Sequence, residues 1–304
     1  MIYAQQSNNI QMELMGPHEL AHIFAQLTDP ADMARARAVC RDWRNTMRPP
    51  RIDGKPMTNI LRLSPNAILE VACRVDSLEL AKYAASHGAT KFKVALYRAC
   101  ERGHKEIAEF MISRGATNFN DGLEGACRGC RIKNSFLEKR KQKEIAELMI
   151  SHGATDFNKG LCDACEGGHK ELVELMVSHG ATWFDSGLWG ACLGGHKELV
   201  ELMISHGATD FDRGLWGACY NGHKDTVELI IRHGATDFNS GLIITCFGGY
   251  NDIVDLMIKH GATKFDEGLY HACRGSRKDI AKLLGKRVPT TVCFHCSKLG
   301  AEHN

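Results

Sequence analysis

The sequence predicts an all-α chain: a small helical head, a proline-rich connection, then a helical solenoid of about eight stacked units. Three observations predict it. The tetrapeptide His-Gly-Ala-Thr recurs with its glycine at Gly88, Gly153, Gly180, Gly207, Gly234 and Gly261, and Arg114 replaces the histidine before Gly115. Phenylalanine keeps the same beat at Phe92, Phe119, Phe157, Phe184, Phe211, Phe238 and Phe265; the step is 27 residues except for one of 38, an insertion of 11 (38 − 27). Finally, no proline occurs between Asn66 and Val288 and no stretch there alternates as a strand would, so the repeated unit is helical.

The head comes first in the chain. Pro17 is suited to the first turn of a helix, and Leu20, Ile23, Phe24 and Leu27 follow as an apolar stripe. Asp29-Pro30 opens a second helix through Met33 and Ala36, and Val39, Cys40 and Trp43 continue an apolar face. A Pro-x-Glu-Leu opening, Ile-Phe, a leucine, Asp-Pro-x-Asp and Val-Cys-x-x-Trp in this order resemble an F-box over about 30 residues. The leucine usual before the proline is missing: Met15-Gly16 stands there. The resemblance implies that Pro17, Leu20, Ile23, Phe24, Leu27, Val39 and Trp43 form a surface docking a Skp-type subunit of a cullin-RING ubiquitin ligase. The other reading of this segment is a helical cap that only shields the first repeat.

Four of the seven prolines (Pro49, Pro50, Pro56 and Pro65) fall within 17 residues, marking a stiff linker. The expected division is a head at 1–47, a linker at 48–65, an array at 66–288 with an insertion at 130–142, and a tail at 289–304.

Each repeat decodes as two short helices. In the fifth, Asp185 is expected to N-cap a first helix ending at Gly194-Gly195, with Leu188, Ala191 and Cys192 on its core face. The second helix, His196 to His206, is expected to bury Leu199, Val200, Leu202, Met203 and Ile204, with Gly207 as a left-handed cap. A pair this short cannot bury its apolar face alone, so copies must stack. The string Ala-Cys-x-Gly-Gly-His-Lys-Glu-Leu-Val-Glu-Leu-Met-Ile-Ser-His-Gly-Ala-Thr is similar to the ankyrin repeat, and it recurs in register eight times over about residues 66–288. An ankyrin unit runs to about 33 residues. The shortfall removes the β-turn finger and the Thr-Pro-Leu-His entry, which puts binding through those fingers in doubt.

Composition excludes several functions. Lys+Arg 38 against Asp+Glu 36 gives a net charge of +2, so no nucleic-acid partner is expected. No apolar run reaches the roughly 18 residues of a membrane helix, and the first residues lack a secretory pattern. Thirteen cysteines without such a signal do not read as a disulfide framework. Cys73, Cys100, Cys127, Cys165, Cys192, Cys219, Cys246 and Cys273 share one repeat position, where a thiol packs as a small apolar group. Two Cys-x2-Cys pairs, Cys127/Cys130 and Cys162/Cys165, and the tail's Cys293-Phe294-His295-Cys296 have zinc-like spacing. Two of the first four are column residues on different helices, so no metal is expected. Ten of fifteen histidines belong to the repeat, and the Gly-His set is placed to bond orphan backbone groups between helices. No phosphate-loop, dinucleotide, zinc-protease or nucleophile-elbow motif occurs, and neither a catalytic residue nor a cofactor is expected. The insertion holds Arg131, Lys133, Lys139, Arg140 and Lys141 against Glu138, a local +4 (5 − 1). It reads as a solvated helix extension, a docking patch for an acidic partner or a nuclear import signal.

Positions that vary inside a constant repeat are the informative ones. On the first helices of repeats five to seven the i, i+4 pairs Trp189/Leu193, Trp216/Tyr220 and Ile243/Phe247 are apolar, whereas repeats two to four are largely polar there. These six are the candidate partner-binding residues; packing between repeats is the competing reading. The expectation is a monomeric, non-catalytic adaptor whose head docks a Skp-type subunit and whose array holds a target protein, in cytosol or nucleus. A scaffold that blocks a partner without any ligase is the alternative. An F-box joined to shortened ankyrin repeats also resembles proteins of large DNA viruses of amoebae and of some intracellular bacteria, which would place it in host cytosol.

Overall fold

The computed structural model describes residues 51–52, 55–56, 63–129 and 136–288. The head (1–47) and the tail (289–304) lie outside them. Within the linker, β1 (Arg51–Ile52) and β2 (Lys55–Pro56) pair antiparallel, Arg51 opposite Pro56 and Ile52 opposite Lys55. The two residues between are Asp53-Gly54, a favoured hairpin dipeptide.

The remaining described residues form eight helix pairs, as expected from eight repeats. These are α1 (Pro65–Val75) with α2 (Leu78–Ser86), α3 (Phe92–Arg102) with α4 (Lys105–Ser113), α5 (Phe119–Gly129) with α6 (Phe136–Ser151), and α7 (Phe157–Glu166) with α8 (Lys170–Ser178). Then come α9 (Phe184–Gly194) with α10 (Lys197–Ser205), α11 (Phe211–Asn221) with α12 (Lys224–Arg232), α13 (Phe238–Gly248) with α14 (Asn251–Lys259), and α15 (Phe265–Arg274) with α16 (Lys278–Gly285). The pairs fall into two compact units, α1–α6 and α7–α16. In the first unit α1, α3 and α5 pack side by side; in the second α7, α9, α11, α13 and α15 do so. Each first helix also packs on its own second helix, giving two layers with the core between them.

The repeated residues explain the stacking. Leu188, Ala191 and Cys192 are fully buried, as are their equivalents such as Leu215, Ala218 and Cys219. Five of the column thiols, Cys100, Cys165, Cys192, Cys219 and Cys246, meet a glycine in the first turn of the next first helix: a Cβ on Gly214 would lie 3.2 Å from Cys192 Sγ, and one on Gly187 3.4 Å from Cys165 Sγ. Of the five residues expected inside α10, Leu199, Val200 and Met203 are buried while Leu202 and Ile204 are half-exposed. At about 100° per residue the first three share a face and the other two flank it.

One capping role differs from expectation. Asp185 does not cap its helix: Trp183 holds the N-cap position, and the Asp185 carboxylate accepts N–H bonds from Thr209 (2.6 Å) and Asp210 (2.9 Å) of the following repeat. Asn158, Asp212 and Asn239 act identically on Thr182/Trp183, Thr236/Asp237 and Thr263/Lys264. Capping falls instead to the aspartate before the phenylalanine, as when Asp210 accepts from Arg213 N and Asp237 from Ser240 N. The insertion ends by lengthening α6 to 16 residues, against nine for α4 and α8. Gln142 then stands in the place of the Gly-His imidazole, its amide donating to Glu101 O at 3.0 Å.

Candidate interaction face

Three repeated devices set the first helices against one another. The first is a close backbone approach at glycine: a Cβ on Gly190 would stand 2.6 Å from Cys162 O, and one on Gly217 3.1 Å from Trp189 O. The second is the Gly-His imidazole, which donates to a carbonyl near the end of the preceding first helix. His196 Nε2 reaches Glu166 O at 3.2 Å, His223 Nε2 reaches Leu193 O at 3.1 Å, and His104 Nδ1 reaches Cys73 O at 2.8 Å. A carbonyl can only accept, so each of these nitrogens carries the proton. The third is the bridging carboxylate or amide at the Asp185 position. Burial tends to raise the Asp212 carboxyl, but the N–H groups of Asp237 and Thr236 and the Thr236 hydroxyl outweigh it and hold the group below its usual range.

The cysteines are core residues by the same geometry. All eight column thiols are buried, and burial pushes Cys73, Cys192, Cys219 and Cys246 up to about 12. Burial raises Cys100 and Cys165 as well. A thiol so shifted is protonated at neutral pH and is a poor nucleophile or metal ligand. Cys162 is half-exposed, and Cys130, Cys293 and Cys296 lie outside the described residues. Among the described residues no three metal-ligating side chains converge.

What the stacking leaves outward is the varied pair on each first helix. In the unit α7–α16, Trp216 (39% exposed), Tyr220 (49%), Phe247 (46%) and Tyr270 (49%) line consecutive helices α11, α13 and α15. Trp189, Leu193 and Ile243 beside them are half-buried. The Trp216 and Tyr220 rings stack at 5.2 Å, and the Arg213 guanidinium lies 5.4 Å from the centre of the Trp189 ring. The six expected residues therefore sit on one face, with Trp189 shared between packing and exposure. In the unit α1–α6 the equivalent face is polar, carrying Arg98–Glu101 at 2.9 Å and Arg128–Glu124 at 3.6 Å.

Two residues of interest escaped the sequence reading. Tyr270 extends the aromatic face into a repeat that reads as a degraded terminal copy. Trp183, 59% exposed, occupies the capping position that Asp156, Asp210 and Asp237 fill elsewhere, and its helix has no side-chain cap. The interruption of the aspartate column was the available signal. Pro17, Leu20, Ile23, Phe24, Leu27, Val39 and Trp43 lie outside the described residues.

Comparison with known proteins agrees with this architecture. Residues 161–240 match the family of ankyrin repeats in three copies, and residues 17–49 match the F-box-like family. The chain joins an F-box-like segment to ankyrin repeats. No curated protein sequence matches it significantly. Among solved structures, the crystal structure of the human ASB11 ankyrin repeat domain is similar at 19% identity and a TM-score of 0.41, covering 55% of this chain and 84% of that one. Both families are generally non-catalytic interaction modules, and together they indicate a protein-interaction adaptor.

Proposed function

We propose that the protein recruits a target to a cullin-RING ubiquitin ligase, its F-box-like head docking a Skp-type subunit and its ankyrin repeats holding the target. The match of residues 17–49 to the F-box-like family, directly ahead of interaction repeats, carries the reading. No bond is made or broken by the protein itself. It raises the effective concentration of the target beside the charged conjugating enzyme, where tethering alone can raise apparent affinity by about 100-fold or more. The aromatic face on α9, α11, α13 and α15 supports the second half of the reading, because large aromatics are the residue types that anchor interfaces. The place of action follows as cytosol or nucleus, where such ligases work.

Co-purification of the full chain with a Skp-type subunit tests it. The subunit is expected with the intact protein and lost from the Leu20→Ala/Phe24→Ala double variant. Absence of the subunit from the intact protein would leave only a scaffold that blocks its partner.

A further inference from the structure

The first repeat departs from the others on the side that no described repeat covers. In α5 the fourth, seventh and eleventh residues are Gly122, Gly125 and Gly129, and in α9 they are Gly187, Gly190 and Gly194. They let the preceding first helix come close: a Cβ on Gly125 would stand 2.8 Å from Tyr97 O, and one on Gly129 would meet Glu101 O. In α1 the same positions hold Ile68, Val71 and Val75, an apolar stripe at i, i+3 and i+7. Ile68 and Val71 are buried and Val75 is half-buried. Yet the described helices packed on α1 are α2, of its own repeat, and α3, on the following side. Leu78 likewise opens α2, where α4, α8, α10, α12 and α16 open with lysine. Ser77 stands in place of the imidazole that bonds a preceding carbonyl, and caps its own helix instead, accepting from Leu80 N at 3.3 Å.

A solenoid that ends in solvent needs a polar outer face on its terminal repeat. The outer stripe of α1 is apolar and β-branched, and bulky where the closely stacked helices have glycine, so it suits a neighbour that packs through side chains. We propose that the F-box-like segment (17–49) of the same chain packs on this stripe. The length of chain ahead of α1 argues for that occupant over a separate molecule. Pairing of β1 with β2, Arg51 opposite Pro56, turns the linker back on itself, with Cα partners about 5 Å apart. From Pro56 to Ser64 is eight residue steps, at most about 26 Å. The segment therefore ends within roughly 40 Å of the helix. A tether this short holds it at an effective concentration on the order of mM, beyond what a second copy or a separate protein reaches. Only the use of the contact, holding a docked Skp-type subunit in one place relative to α1–α6, rests on the adaptor reading.

The photo-cross-linker p-benzoylphenylalanine, placed at the half-buried Val75 position of the full chain and mapped by mass spectrometry, tests it. Cross-links are expected to peptides within residues 17–49 of the same chain. In a Val71→Asp background, with a carboxylate in the middle of the stripe, their yield should fall about tenfold. Hydrogen exchange of α3 to α6 amides checks that the repeats stay folded. Should the aspartate unfold them, Val71→Thr keeps the shape, adds only a hydroxyl and should lower the yield about threefold. Cross-links confined to other residues of the chain, a cross-linked dimer or no cross-link would each overturn the proposal. So would a yield indifferent to the change at Val71 in a folded variant. Co-purification of the Skp-type subunit with the intact protein is a separate readout, so failure of this contact and failure of the adaptor reading are distinguishable.

Discussion

Gly195 and Gly207 both end a helix of the fifth repeat with positive φ, +75° and +100°, but their surroundings differ. A Cβ on Gly207 meets nothing within 4 Å, whereas one on Gly195 would lie 2.6 Å from the His223 ring. Gly207→Ala therefore carries only the left-handed penalty, about 1–2 kcal/mol, lessened by about 0.4–1 kcal/mol through the stiffer unfolded chain. The net is roughly 1 kcal/mol. Gly195→Ala carries the same penalty and must also move the imidazole that donates to Leu193 O at 3.1 Å, a loss of about 1 kcal/mol. The larger cost of a stranded carbonyl is not incurred, because Asn221 Nδ2 also donates to Leu193 O, at 2.8 Å. Gly195→Ala should thus destabilise by about 2–3 kcal/mol.

Urea unfolding followed by tryptophan fluorescence is a suitable assay, since Trp189 and Trp216 lie on the helices flanking this junction. Stacked repeats need not unfold in one step, so hydrogen exchange of α9 and α11 amides supplies the local figure. The deciding comparison is a double-mutant cycle. In a His223→Ala background the imidazole is gone, and the cost of Gly195→Ala should fall to that of Gly207→Ala. Equal costs for the two glycines in the wild-type background, or an unchanged cost for Gly195→Ala without His223, would refute the argument that the Gly-Gly-His motif is an inter-repeat contact.

Asp212→Ala removes the bridge to Thr236 and Asp237 and should destabilise by about 1–2 kcal/mol, whereas Asp212→Asn should be nearly neutral, as Asn158 and Asn239 already serve there; urea midpoints compare them. Because the folded Asp212 carboxyl titrates below its usual range, its contribution is fully present above that range and is lost as pH falls through the depressed value; the Asn variant should lack this part of the acid-side decline in Tm. Iodoacetamide at pH 8 followed by mass spectrometry should modify half-exposed Cys162 well before the buried Cys192 and Cys219, which should react only on unfolding. Trp216→Ala should change stability by about 0.5 kcal/mol or less while its buried neighbour Leu215→Ala costs about 2–5 kcal/mol in the same urea titration; a large cost for Trp216→Ala would make the exposed face part of the core.

The repeat made much of this fold legible from sequence. Gly207, Leu188 and Cys192 could be given roles because each recurs at 27 residues in copies whose neighbours differ, which separates the constant from the incidental. Asp185 was misread for a physical reason: an aspartate in a first turn has the local signature of a cap, while its actual partners lie 24 and 25 residues later. Gln142 was hidden by the insertion, which breaks the spacing before the register resumes at Lys143. The face was visible as varied pairs, but whether they pointed outward depended on how closely α9 and α11 approach at Gly217. That distance belongs to stacking and not to any single repeat.

The shortened repeat also explains why interaction should concentrate on the first helices. Only five residues, 206–210, connect α10 to α11, and two of their N–H groups are taken by Asp185. Asp210 spends its side chain capping α11, and Ala208 N closes the end of α10 on Met203 O at 3.0 Å. A connection so fully committed to holding repeats together has few groups left to offer a partner. The second helices present lysines and acids that pair across repeats, as in Lys197–Asp225 at 3.1 Å and Lys224–Asp252 at 3.7 Å. Exposed pairs of this kind contribute little binding energy. The outward positions of the first helices are under neither constraint. They are free to vary without loosening the stack, and they are where Trp216, Tyr220, Phe247 and Tyr270 collect.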